Sequence, residues 1–238
     1  DQIYSWSDAN KTTPKTSAPA LSETIELFRP YVEEGRDIVC FSISNSMSSS
    51  GNVMQLAAEE LDAQDLITVI DSANLSTGIG LLVIEAAILA QNNKTAAEIS
   101  VAVENLKPYV RASFVVDTLT YLHRGGRCSA IAAMAGGLLK LHPQIIVEHG
   151  AMKPTKKYRG KMDSVILSYV KDMEPALKHA RPDRVFITHS GCDPTIVNAV
   201  RSYLEGLGIF HEILETRAGG VISSHCGPGT LGVLFIES

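Results

Sequence analysis

A chain of 238 residues, 45% apolar and 20% charged, can bury a substantial core, as one large domain or two small ones. A formal net charge of -5, with no basic run carrying interleaved aromatics, argues against nucleic acid as a partner. No apolar stretch approaches the roughly 20 residues that span a bilayer, and Asp1-Gln2-Ile3-Tyr4 lacks the features of a signal peptide, so a cytoplasmic protein without stable membrane insertion is expected.

Taken in chain order, Leu21 to Glu34 predicts a helix entered after Pro19 and ended by Gly35, with Pro30 kinking or shortening it. Asp37 to Ile43 predicts a strand. The serine-rich segment Ser44 to Gly51 is too polar to extend it, and Asn52 to Ala63 resumes with helical spacing. The pattern recurs as a strand at Leu66 to Asp71, a turn at Ala73 to Gly80, and a helix at Ile79 to Gln91. Such alternation predicts a parallel sheet covered by helices. A further helix, Thr95 to Leu106, ends near Pro108.

Beyond it, strands are predicted near Ala112 to Val116, Gln144 to Glu148, Arg184 to Thr188, His211 to Glu215 and Gly232 to Ile236. Helices are predicted at Ala130 to Leu139, Met162 to His179 and Pro194 to Leu207. The fold class is therefore α/β with two α/β domains: residues 1–110 with a Rossmann-like parallel sheet, and residues 111–238 with a mixed sheet and helices. Ligands of such folds favour the crevice at strand ends or between domains.

The four cysteines, Cys40, Cys128, Cys192 and Cys226, form no C-x-x-C pair, which predicts reduced and mostly buried thiols without a disulfide framework. His189, Cys192, Asp193 and His225 match no usual ligand spacing, so no metal is expected. Gly78-Ile79-Gly80 is too short for a dinucleotide fingerprint and no Walker lysine is present, so no cofactor is expected either.

Four segments could carry chemistry. Thr118 to Arg127 places Arg124 and Arg127 around the pair Gly125-Gly126, an arrangement able to present guanidinium forks to an anion. Ser44-Asn45-Ser46-Met47-Ser48-Ser49-Ser50-Gly51 offers hydroxyls and free amides at a helix start, as an anion site or as ordinary capping. Thr16-Ser17 before the first predicted helix has the same two readings. Ser223-Ser224-His225-Cys226-Gly227-Pro228-Gly229 places an imidazole beside a tight glycine turn. The basic Arg159-Gly160-Lys161, after Lys156-Lys157, reads as a charged turn at a helix start, solvated or meeting a partner or phosphate. No G-x-S-x-G elbow accompanies the serines, which counts against a Ser-His-Asp hydrolase.

Together these segments resemble the DegV family of bacterial lipid-binding proteins, over essentially the whole chain. Thr16-Ser17-Ala18-Pro19 is similar to the family's T-S-Q-P-S signature. Ile43-Ser44-Asn45-Ser46-Met47-Ser48 is similar to its strand and S-G-T turn, and Asp71-Ser72 to its second strand end. Asp117-Thr118-Leu119 with Tyr121-Leu122 and Gly125-Gly126-Arg127 matches D-T-L-x-Y-L-x-x-G-G-R, and His225-Cys226-Gly227-Pro228-Gly229-Thr230-Leu231-Gly232 matches H-x-G-P-G-x-L-G.

The resemblance implies two α/β domains with a long-chain fatty acid buried between them, and a carrier, not an enzyme, that presents the carboxylate to a separate fatty acid kinase subunit. Carried over by residue, Thr16, Ser17, Ser48 and Ser49 would belong to the ligand site, with Thr16 and Ser48 bonding the carboxylate and Arg127 and His225 near the head group. Arg124 is read as a surface residue. Helices at Ile79 to Leu89 and Ile131 to Leu139 would line a tail channel or pack in the core. Family members carry a further strand and loop before the point where this chain begins, so the first sheet is expected to lack that strand. Ser49-Ser50-Gly51 replaces Gly-Thr-Tyr, and Ala18 and Ala20 replace polar residues, which is expected to reshape the pocket. The competing reading is an enzyme in the same crevice, a small-molecule phosphotransferase or an esterase using Ser48 and His225.

Overall fold

The computed structural model describes residues 2–127 and 141–238. The helix expected at Ala130 to Leu139, the tail-lining segment Ile131 to Leu139 and Cys128 lie outside the described residues.

The chain forms two compact units, one of Asp1–Thr16, Tyr109–Glu148 and Met152–Ser238, the other of Ser17–Pro108 and His149–Ala151. The first sixteen residues belong with the carboxyl-terminal half, for reasons that lie in tertiary bonds described below.

The elements are α1 (Gln2–Asn10), α2 (Leu21–Glu33), β1 (Ile38–Ser42), α3 (Ser50–Glu60), β2 (Ile67–Asp71), α4 (Thr77–Gln91), α5 (Ala96–Leu106), β3 (Val110–Val115), α6 (Thr120–Gly125), β4 (His142–Glu148), β5 (Ala151–Tyr158), α7 (Met162–Asp172), α8 (Glu174–Leu177), β6 (Ala180–His189), α9 (Pro194–Gly206), β7 (Glu212–Arg217), α10 (Gly220–Cys226) and β8 (Leu231–Glu237).

In the unit of residues 17–108, β1 and β2 pair in parallel, Ile38 opposite Ile67 and Ser42 opposite Asp71. Phe28, Ala57, Ala58, Ala63 and Ile67 form its buried cluster. Helix α2 continues through Pro30 to Glu33 instead of stopping. Pro30 and Glu26, whose carbonyl loses its partner, are both exposed, so water can replace the missing bond. Gly35, at φ +68°, then ends the helix: its N–H donates to Val32 O at 2.9 Å and Arg36 N–H to Tyr31 O at 2.9 Å. Thr95 caps α5 reciprocally, its hydroxyl accepting Glu98 N–H while Glu98 accepts Thr95 N–H.

The other unit holds a six-stranded sheet in the order β5-β4-β3-β8-β6-β7. Strand β3 runs antiparallel to β4 and β8, β8 runs antiparallel to β6, and β6 and β7 are parallel. Strand β8 is central and buried from Leu231 to Ile236, so its sequence is a continuous apolar run and not an alternation. Helices α7 and α9 cover it with Val165, Ile166, Tyr169, Val170 and Ile196, Val197, Val200, Leu204, a spacing that keeps one face inward.

Three expectations are corrected here. The single helix expected from Met162 to His179 breaks at Met173, because Pro175 in the next turn lacks an N–H and crowds the preceding turn. The charged turn expected at Arg159-Gly160-Lys161 does precede α7, but Lys156-Lys157 before it form the end of β5, an edge strand whose exposed Lys153, Thr155, Lys156 and Lys157 discourage further pairing. Thr120 to Gly125 is a short helix, not an open turn.

Candidate ligand-binding site

In the unit containing both chain ends, α1 delivers Thr16. Tyr4 donates its hydroxyl to Ser190 O at 3.2 Å, and Tyr121 donates to Asp8 Oδ1 at 2.9 Å. The two tyrosine rings meet edge to face, 6.0 Å between centroids. Arg124 Nη1 donates to Ser7 O at 3.3 Å, lies 3.8 Å from Asp8 Oδ1 and places its guanidinium 5.8 Å from the centre of the Tyr121 ring. Arg124, read from the sequence as a surface residue, is instead half-buried and ties α1 to α6.

The segment after α1 brings half-buried Thr16 to His225, with Oγ1 2.8 Å from Nε2 although the two are 209 residues apart. His225 sits near the end of α10, and the loop beyond is clamped. Ser190 donates its hydroxyl to Gly227 O, Thr230 donates to Cys226 O at 2.9 Å, and Gly229 N–H donates to Ser190 O at 3.3 Å. Gly227, at φ +80°, takes a backbone conformation that other residues rarely adopt, and a Cβ there would lie 2.6 Å from the Tyr121 ring.

His225 Nδ1 is buried and has no hydrogen-bond partner among the described residues. Burial first, and the nearby Arg127 charge second, push the His225 pKa below its ordinary value. Arg127 is itself exposed, with Nη1 donating to Gly125 O at 2.8 Å.

In the unit of residues 17–108, the serine turn lies at the carboxyl end of β1, before α3. Ser44 N–H donates to Asn74 O at 2.9 Å and Ser48 N–H to Ser44 O at 3.1 Å. Ser48 and Ser50 pair their hydroxyls at 2.8 Å, and Ser48 Oγ also accepts Ser50 N–H at 3.2 Å. Ser49 is the residue preceding the helix, yet its exposed side chain makes no capping bond. Beneath the turn Ser42 Oγ is buried without a partner among the described residues, and Ser46 donates to Gly150 O. A helix start with amides and a hydroxyl pair favours negative charge.

Of the residues singled out from sequence, Thr16, His225 and Arg127 are thus close neighbours in one unit, and Ser48 and Ser49 share a turn in the other. Ser17 is exposed. Ser48 bonds Ser50, and the hydroxyl on the His225 imidazole is that of Thr16. His189 Nδ1 accepts Cys192 N–H at 3.2 Å, its Nε2 lies 3.5 Å from Glu215, and Asp193 caps α9. Among the described residues no group of three or more His, Cys, Asp or Glu could hold a metal ion. Cys40, Cys192 and Cys226 are free thiols with pKa values pushed up by burial to about 11, about 12 and about 12.

Of the helix expected to line a tail channel, Leu81, Leu82 and Ala86 are buried. Val83, Ala86 and Ala87 also border a hollow of about 380 Å³ beside Val39 and Phe41 of β1. Among the described residues no helix is long and apolar enough to cross a membrane. Sequence reasoning missed Ser190, which clamps the His225 loop, and the role of Gly125 against the imidazole. A glycine pair beside a histidine motif is the only signal the sequence offers for the latter.

The family model described as "Uncharacterised protein, DegV family" matches residues 1–238. A DegV domain-containing protein of Clostridium perfringens is 32% identical over 229 residues, covering 94% of this chain and 77% of its own. A DegV family protein from Thermus thermophilus, described for its fatty acid binding, superposes with a TM-score of 0.87 at 28% identity, over 100% of this chain and 84% of that one. A stearic acid-binding protein from Eubacterium ventriosum superposes with a TM-score of 0.82 at 26% identity, over 99% and 83%. Matched along its entire length in sequence and in fold, the chain belongs to the DegV family.

Proposed function

We propose that the protein is a fatty-acid carrier, not a catalyst: it buries a long-chain acyl group and presents the carboxylate to a separate fatty acid kinase for phosphorylation. The observation that carries this reading is the meeting of Thr16 and His225 from opposite ends of the chain. It is supported by the fatty acid binding of the matched Thermus thermophilus protein and the stearic acid binding of the Eubacterium ventriosum protein. A carboxylate accepts several hydrogen bonds, and a guanidinium nearby favours its ionised form. Thr16, Ser17, Ser48 and Ser49 are the proposed donors, and His225 and Arg127 are proposed near the head group.

Burial of an acyl chain is favourable by about 0.8 kcal/mol per methylene, so the tail supplies most of the affinity and the head group sets orientation. Kinase partnership is what the family resemblance implies. The test is denaturing extraction of the purified protein followed by lipid mass spectrometry, with titration of oleate and palmitate. A stoichiometric acyl chain, or saturable binding, is expected; neither being found overturns the reading.

A further inference from the structure

Gly125 closes α6 with its α-carbon against the His225 imidazole. A Cβ built there falls 2.1 Å from Nδ1, 2.9 Å from Cε1 and 3.2 Å from Cγ, inside the distance that real side-chain carbons keep. Cε1 and Cγ are both bonded to Nδ1 and both lie farther away than it does. The Cβ position is therefore outward from Nδ1 and close to the ring plane, where that nitrogen's lone pair or its proton points. A proton on Nδ1 would be driven into the α-hydrogen of Gly125.

The same nitrogen is buried without an acceptor among the described residues. An orphaned buried N–H is rarer and costlier than an unfilled lone pair. Both observations leave Nδ1 bare. The neutral ring then carries its proton on Nε2, which donates to Thr16 Oγ1. The proton of the Thr16 hydroxyl is left for another acceptor. Arg127 donates to the Gly125 carbonyl at 2.8 Å.

We propose that Gly125 is a positioning residue: by excluding a proton from His225 Nδ1 it fixes the Nε2–H tautomer, and so commits Thr16 as a donor to an anionic ligand oxygen. The ligand half of this rests on Thr16 belonging to the head-group site.

Proton–nitrogen correlation NMR of the full chain, with labelled histidine, reads the tautomer without ligand or substitution. An unprotonated Nδ1 and a protonated Nε2 are expected at His225; a protonated Nδ1 overturns the proposal. In Gly125→Ala the ring must swing off Thr16, and oleate affinity should fall about tenfold, the loss of one well-placed hydrogen bond. In a His225→Ala background the same glycine substitution should change affinity by less than about twofold, because the residue it acts through is gone. An equal loss in both backgrounds makes Gly125 merely structural and overturns the proposal. If the unsubstituted chain binds no oleate, the carrier reading and the ligand half fail together, and the NMR result separates that failure from an error in the ring geometry.

Discussion

Tyr121 donates its hydroxyl to the Asp8 carboxylate at 2.9 Å, and this bond joins the helix before the glycine pair to the first helix of the chain. Desolvation and the Asp8 carboxylate raise the Tyr121 pKa to about 12, so the hydroxyl remains a donor at any physiological pH. Tyr121→Phe should lower stability by about 1 kcal/mol, since Asp8 is exposed and can be hydrated instead. Urea denaturation measures this. Oleate affinity should fall as well, because α1 is what brings Thr16 to His225; unchanged affinity would mean that the later segment places Thr16 without α1.

Thr16→Ala should weaken oleate binding by about 1.5–3 kcal/mol if its hydroxyl donates to an ionised carboxylate, and Thr16→Ser should restore most of it. Ser48→Ala tests the second hydroxyl in the same way. Isothermal titration with oleate and with the corresponding fatty alcohol separates head-group from tail effects, because loss of the carboxylate should erase the difference between the variants and the parent. Equal affinities across the series would remove both hydroxyls from the site.

His225 has a folded-state pKa below its ordinary value of 6.5, from burial first and Arg127 second. In the unfolded chain it takes up its proton near the ordinary value, whereas the folded chain does so only at lower pH. Between the two the unfolded state binds more protons, so stability rises with pH there and is lost as pH falls below about 6.5. Denaturation midpoints measured across that range should drop on acidification. His225→Gln should flatten the dependence, and a parallel drop in both proteins would assign it to other groups.

Tyr169 lies at the centre of the larger core, donating its hydroxyl to Ser113 O at 2.8 Å and accepting Val233 N–H at 3.1 Å. Burial raises its pKa far above the usual phenol range. Tyr169→Phe would leave buried backbone groups of β3 and β8 without this partner, at a cost of about 1–3 kcal/mol. A shift of the thermal midpoint with ligand stoichiometry unchanged is the expected result.

The parallel strand-turn-helix units were legible because apolar residues at Ile38 to Phe41 and Ile67 to Ile70 stand between polar turns, and the following helices change period. Thr16, Ser48, Arg127 and His225 stood out by residue type and by family resemblance, and the structure brings Thr16, Arg127 and His225 together. Other features were hidden by their physics. β5 presents lysines because it is an edge, so its sequence imitates a loop. α1 is fixed by Tyr4, Asp8 and Ser7 bonding residues more than a hundred positions away, and no local pattern announces such partners. Gly125 matters through an atom it lacks, which composition and periodicity do not register.

The place of β8 in the sheet has a consequence for biosynthesis. It follows β3 and β6 in the chain, yet it stands between them and hydrogen-bonds to both. A nascent chain emerging from the ribosome can assemble β5, β4 and β3 on one side and β6 and β7 on the other, but it has nothing to join them until Leu231 to Glu237 appear. His225 emerges only shortly before. Contacts of such long sequence separation form slowly, because the intervening chain must first be closed into a loop. A nascent chain that has not reached His225 cannot complete the Thr16–His225 pair, and one that has not reached β8 keeps the two parts of its sheet unjoined.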